Sequence, residues 1–93
     1  MAVPVIGGDA VVRRRQGIVW RELDGKVVGL DLGSSRYFSL NSTGALLWER
    51  MADDVPVSDL VDALVSAHGV AVEQAEADTL AFLGSLDEQG LLA

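Results

Sequence analysis

Ile18 to Leu40 reads IVWRELDGKVVGLDLGSSRYFSL, and the fold turns on this stretch. Two runs rich in β-branched and aromatic residues, Ile18 to Leu23 and Lys26 to Leu32, flank Asp24-Gly25. Asp-Gly between such runs signals a two-residue hairpin, because a type I′ turn needs positive φ at both central positions. The returning strand is expected to turn Val28, Leu30 and Leu32 toward the rest of the core, with Gly29 and Asp31 on the opposite face. Gly33-Ser34-Ser35 breaks the alternation, and Arg36 to Leu40 forms a third strand in which Phe38 and Leu40 share a side. The result is a three-stranded antiparallel meander, with an additional edge strand expected around Val11 to Arg15.

From Asn41 onward the hydrophobic period becomes helical. Asn41, Ser42 and Thr43 offer capping oxygens to a helix that carries Leu46, Leu47, Glu49 and Met51. Pro56 and Ser58 open a second helix, with Leu60, Val61, Leu64 and Val65 as its apolar stripe and Gly69 just past its end. A third runs from about Glu73 to Glu88 and stops at Gly90, with Leu91 and Leu92 folding back. Strands followed by helices predict an α+β fold: a three-stranded antiparallel sheet followed by three helices, in a single domain spanning residues 1–93.

The composition agrees with one globular domain: 49% of the 93 residues are hydrophobic and only 23% are charged, far from the balance that keeps chains disordered. The absence of cysteine excludes disulfides, thiolate nucleophiles, iron–sulfur clusters and Cys-based zinc sites. Met1 to Ala10 lacks a basic segment followed by a long apolar one, and no run approaches the roughly 18–20 apolar residues of a membrane span. A cytoplasmic location without a membrane span is expected. Seven basic against fourteen acidic side chains leave a formal charge of −7, which opposes binding to phosphate backbones. Only Arg13, Arg14 and Arg15 cluster. The acidity suits a neutral or cationic peptide partner, or serves solubility alone.

No constellation for catalysis stands out. His68 precedes Gly69 at a helix end, where it complements free carbonyls. The carboxylates Asp53, Asp54, Asp59, Asp62, Glu73, Glu76 and Asp78 fall mostly in first turns or between helices, where they complement the helix dipole. Gly7-Gly8 and Gly33 lack a phosphate-loop context and read as turns. Trp20 and Trp48 read as packing residues. No catalytic residue, metal or cofactor is expected. The third helix is more informative. Ala75, Thr79, Phe82 and Leu86 form a core stripe, and Glu76, Leu80, Leu83 and Asp87 repeat its spacing one residue round. Either both stripes make one wide buried face, or the second borders a groove open to a ligand.

Two segments, GLDLGSSRYFSLNSTGALLWERM from Gly29 and ADTLAFLGSLDEQGLL from Ala77, resemble the PqqD-like family, also called RiPP recognition elements, over about Val11 to Leu92. Leu30-Asp31, Tyr37, Leu40-Asn41, Gly44 and Trp48 resemble the stand-alone members found in lasso-peptide biosynthesis. A PqqD-type chaperone for another modified peptide is the alternative within the family. The resemblance implies a winged-helix-like fold, three strands packed on three helices, and a non-catalytic module that binds the leader of a ribosomally made precursor peptide, in lasso systems commonly one with a Tyr-x-x-Pro-x-Leu motif. The leader would add as a strand beside Arg36, Tyr37, Phe38, Ser39 and Leu40 and lie in the groove along Glu76, Thr79, Leu80, Leu83 and Asp87. The implied partners are that leader, a leader peptidase and a macrocyclase of the same pathway. A winged-helix DNA-binding regulator is the rival of a different class. Against it, the third helix carries Glu73, Glu76, Asp78, Asp87 and Glu88 and neither Lys nor Arg, a charge that repels nucleic acid.

Overall fold

Asp24 and Gly25 both adopt left-handed backbone, with φ of 54° and 78°, as the tight turn requires, and they join β2 (Ile18–Leu23) to β3 (Lys26–Asp31) with Leu23 opposite Lys26. The computed structural model describes residues 10–93; the Gly7-Gly8 turn expected above lies outside them. In chain order the elements are β1 (Val11–Val12), β2, β3, β4 (Arg36–Leu40), α1 (Ser42–Arg50), β5 (Val55–Pro56), α2 (Val57–His68) and α3 (Val72–Glu88). The antiparallel sheet has the order β2-β3-β4, and three helices follow it. This is the expected α+β arrangement.

The helix ends obey local chemistry. Asn41 Oδ1 accepts from the Gly44 N–H at 2.9 Å and caps α1. Gly69, left-handed at φ 65°, closes α2, and Gly90 at φ 72° follows α3. The chain then folds back: Leu92 bridges Arg14, and the Arg15 N–H donates to the Leu91 carbonyl at 2.9 Å. The Val11–Arg15 stretch forms only the two-residue β1, and it pairs with β5 rather than with the meander.

The face of β3 turned to the helices is the reverse of the expected one. Val27, Gly29 and Asp31 point inward and are buried, whereas Val28 and Leu32 are exposed and Leu30 is half-buried. Gly29 is inward because Phe38 of the neighbouring strand fills its space: a Cβ there would lie 2.3 Å from the Phe38 ring. That ring in turn packs on Trp48, with centroids 5.3 Å apart. The core then runs through Trp48, Leu47 and Met51 of the α1 segment, Leu60 and Leu64 of α2, and Leu83 and Leu86 of α3, all essentially inaccessible.

Asp31 is the buried charge of this inner face, and it organises the β3–β4 turn. Its carboxylate accepts from Arg15 Nη2 at 2.5 Å, from Ser34 Oγ at 3.0 Å and from the Gly33 N–H at 3.0 Å. The Arg15 bond, aided by Ser34 and Gly33, outweighs burial and holds the carboxyl below its usual range. The folded chain therefore binds this proton less readily than the unfolded chain, so Asp31 stabilises the fold at neutral pH. That contribution is lost as pH falls below about 4 toward the folded value. Asp31→Asn is expected to lower the melting temperature at pH 7 and to flatten the acid limb of a melting-temperature profile. An acid limb identical to the native one would exclude this role.

Candidate peptide-binding groove

A sheet of order β2-β3-β4 leaves β4 as a terminal strand, and among the described residues its outer side pairs with nothing. Its main-chain N–H and C=O groups are therefore available to a further strand. The five residues from Arg36 to Leu40 match one short edge. Tyr37 is 83% exposed on the outer face of the sheet, on the same side as Ser39, while Phe38 and Leu40 turn inward and are half-buried.

Helix α3 approaches the Leu40 end of this edge through Phe82. A Cβ on Gly44 would sit 3.1 Å from the Phe82 ring and 3.2 Å from Leu40 Cβ, so the missing side chain lets α1, β4 and α3 meet closely. Two recesses flank the contact. One, of about 160 Å³, is lined by Asp31, Arg36, Tyr37, Phe38, Gln89 and Leu91. The other, of about 390 Å³, is lined by Asn41, Thr43, Gly44, Asp78, Ala81 and Phe82. Together they trace a groove along β4 with Arg36 at one end and Asp78 at the other. Asp78 also accepts from Gln74 Nε2 at 2.8 Å.

Of the strand residues expected at the site, Arg36, Tyr37 and Phe38 line a recess and Leu40 lies next to the Phe82 contact, but the recesses meet a different side of α3 from the one expected. Residues 78, 82, 85 and 89 follow one helical stripe, and of these Asp78, Phe82 and Gln89 line the recesses. Neither recess includes Glu76, Thr79, Leu80, Leu83 or Asp87. Thr79 and Leu83 are fully buried, the Thr79 hydroxyl without a hydrogen-bond partner among the described residues, and Leu80 is 37% exposed. Leu83 is therefore core, not groove wall. Asp78, Ala81, Gln89, Asn41 and Leu91 were not expected at the site. The i, i+4, i+7 and i+11 series from residue 78 was present in the sequence, but its polar and small members gave no apolar signal.

A broader apolar recess of about 530 Å³ covers the outer face of the sheet, where Val19, Val28, Leu30 and Tyr37 surround Arg21. Among the described residues, no group of three or more His, Asp or Glu side chains is placed to hold a metal ion, and no helix is long and apolar enough to cross a membrane.

A family model described as coenzyme PQQ synthesis protein D (PqqD) matches residues 26–92. The chain belongs to the PqqD family. Solved structures of similar fold cover most of the chain. A lasso peptide synthetase B1 complexed with the leader peptide is 34% identical with a TM-score of 0.76, covering 88% of this chain and 96% of its own. TbiB1 in complex with the TbiA(beta) leader peptide is 26% identical at a TM-score of 0.76, covering 86% of this chain and 93% of its own. The PqqD truncation of Methylobacterium extorquens PqqCD, described as a functional and stand-alone RiPP recognition element, is 23% identical at a TM-score of 0.75. It covers 96% of this chain and 95% of its own and shares the fold. No curated protein matches the chain in sequence.

Proposed function

We propose that this PqqD-family chain is a non-catalytic leader-binding module: it captures the leader of a ribosomally made precursor, of the lasso type, along the open edge of β4. The observation that carries this reading is the β4 edge, unpaired among the described residues, lying beside a groove walled by Phe82 of α3 and by Gln89 at its C-cap. Main-chain hydrogen bonds to an added strand supply affinity, and recesses on either side of Phe82 select alternate side chains. Two relatives of this fold were solved with leader peptides bound, which favours the same class of ligand here. The groove residues are Arg36, Tyr37, Phe38, Ser39 and Leu40 on the strand, with Asp78, Ala81 and Phe82 on the helix and Gln89 at its end. Bound leader would be presented to a leader peptidase and a macrocyclase of the same cytoplasmic pathway. A DNA-binding role is disfavoured by charge, since from Val57 onward the chain carries seven side-chain carboxylates and no Lys or Arg.

The test is fluorescence polarisation with a lasso-type precursor peptide, cut into labelled leader and core halves. The leader half is expected to bind at least about tenfold more tightly than the core half. Equal binding of the two halves, or of neither, would remove leader recognition as the function.

A further inference from the structure

At the other edge of the sheet a different set of groups is left without partners. The Arg14 guanidinium lies over two indole rings, 4.8 Å from the centroid of Trp20 and 5.3 Å from that of Trp48, and the two rings meet edge to face at 6.2 Å. Its neighbours in sequence are paired, Arg13 with Asp54 and Arg15 with Asp31. Among the described residues Arg14 is not. Glu49 and Asp53 act on it through space, and burial lowers its pKa against their pull. Its buried Nη1 has no hydrogen-bond partner among the described residues, nor does the Nε1 of the wholly buried Trp48.

Both residues line one polar recess of about 180 Å³, closed by Arg15, Ile18, Trp20 and Ala52. A buried donor without an acceptor costs free energy comparable to a lost hydrogen bond, and such groups are rare. Both atoms are sealed beneath the wall of one recess, and the unpaired charge of Arg14 makes that recess one an anion complements. Water at the recess cannot neutralise the guanidinium; a carboxylate does so through charge-assisted bonds.

We propose that this recess is a carboxylate socket that receives an Asp or Glu side chain of a partner protein lying along the free edge of β2. Strand β2 ends the sheet opposite β4, and its six residues from Ile18 to Leu23 have no outer partner among the described residues. Ile18 and Trp20 of that strand line the socket, so an added strand would bring its side chains to the opening. A free anion would face a protein of charge −7 with Glu49 and Asp53 close by. A carboxylate tethered to a paired strand overcomes that repulsion through effective concentration. The socket and the β4 groove lie at opposite edges, so this inference stands apart from leader recognition.

The Trp48 indole N–H, one of two in the chain, reports directly on occupancy in proton–nitrogen correlation spectra. Three probes are titrated: sodium acetate, the peptide acetyl-Val-Thr-Glu-Val-Thr-amide, and its counterpart with Gln for Glu. The Glu peptide is expected to shift the Trp48 indole resonance saturably and to bind at least about tenfold more tightly than acetate or the Gln peptide. Arg14→Gln, checked for folding by circular dichroism, should weaken the Glu peptide about tenfold or more and leave leader affinity unchanged. Equal binding of the Glu and Gln peptides, or an indole resonance unmoved up to about 10 mM of each, would overturn the socket whether or not the Arg14 variant folds. Acetate binding as tightly as the Glu peptide would make it a free-anion site and overturn its assignment to a partner chain.

Discussion

Leu83→Glu is expected to unfold this protein rather than only to block its ligand. Leu83 is 0% exposed and shares the inner side of α3 with Ala75, Thr79 and Leu86. Removing a buried leucine side chain costs about 2–5 kcal/mol, and an unpaired buried carboxylate adds several more. A domain of this size has a total stability of about 5–15 kcal/mol, so the loss consumes most of it. At about 4–8 °C per kcal/mol, the melting temperature should fall by roughly 20 °C or more. Thermal melts followed by far-UV circular dichroism measure this. A variant that melts within a few degrees of the native chain would put the Leu83 side chain outside the core.

The reason Leu83 reads ambiguously in the sequence is that two neighbouring stripes of α3 both contain large apolar residues. Leu80 and Leu83 are as apolar as Phe82 and Leu86, and periodicity alone cannot say which stripe meets α2. The same degeneracy affects β3, where Val27-Val28 and the leucines at 30 and 32 supply apolar residues in both phases of a two-residue repeat. Two contacts between distant residues decide the phase. Phe38 fills the space over Gly29, and Arg15 neutralises Asp31, so a glycine and an aspartate occupy the inner face while Val28 and Leu32 face solvent. Neither contact leaves a trace in local pattern. The features that were legible are those controlled by nearest neighbours: the Asp24-Gly25 turn, the Asn41 cap and the Gly69 helix end. The third strand as a sheet edge was also legible, because a meander of three strands must leave its last one open.

The electrostatic layout follows from the same order of elements. The sheet-forming segment from Ile18 to Leu40 carries Arg21, Lys26 and Arg36 against Glu22, Asp24 and Asp31, whereas everything from Val57 onward is acidic or neutral apart from His68. The β4 groove lies where these two halves meet. Its strand wall holds Arg36 and its helix wall Asp78, so a peptide lying in it meets opposite charges at its two ends, which favours one direction of binding over the other.

Ala81→Trp is expected to remove most leader binding while leaving the domain folded. Ala81 is exposed on α3 and lines the larger recess beside Phe82, Gly44 and Asn41. An indole at this position would project into a space of about 390 Å³ without displacing any buried side chain. The helix itself loses only about 0.5 kcal/mol in propensity on the change from alanine. If leader side chains enter these recesses as proposed, occupying one of the two should weaken binding by about 10- to 100-fold, equivalent to about 1.4–2.7 kcal/mol. Leu80→Glu is the matched control, since Leu80 is 37% exposed and lines neither recess; its leader affinity should stay within about twofold of native. Polarisation titrations of both variants, with melts to show that each is folded, decide between the two sides of α3. Native affinity for Ala81→Trp together with a large loss for Leu80→Glu would move the leader to the stripe of Glu76, Leu80 and Asp87, away from the side on which Phe82 meets Leu40 and Gly44.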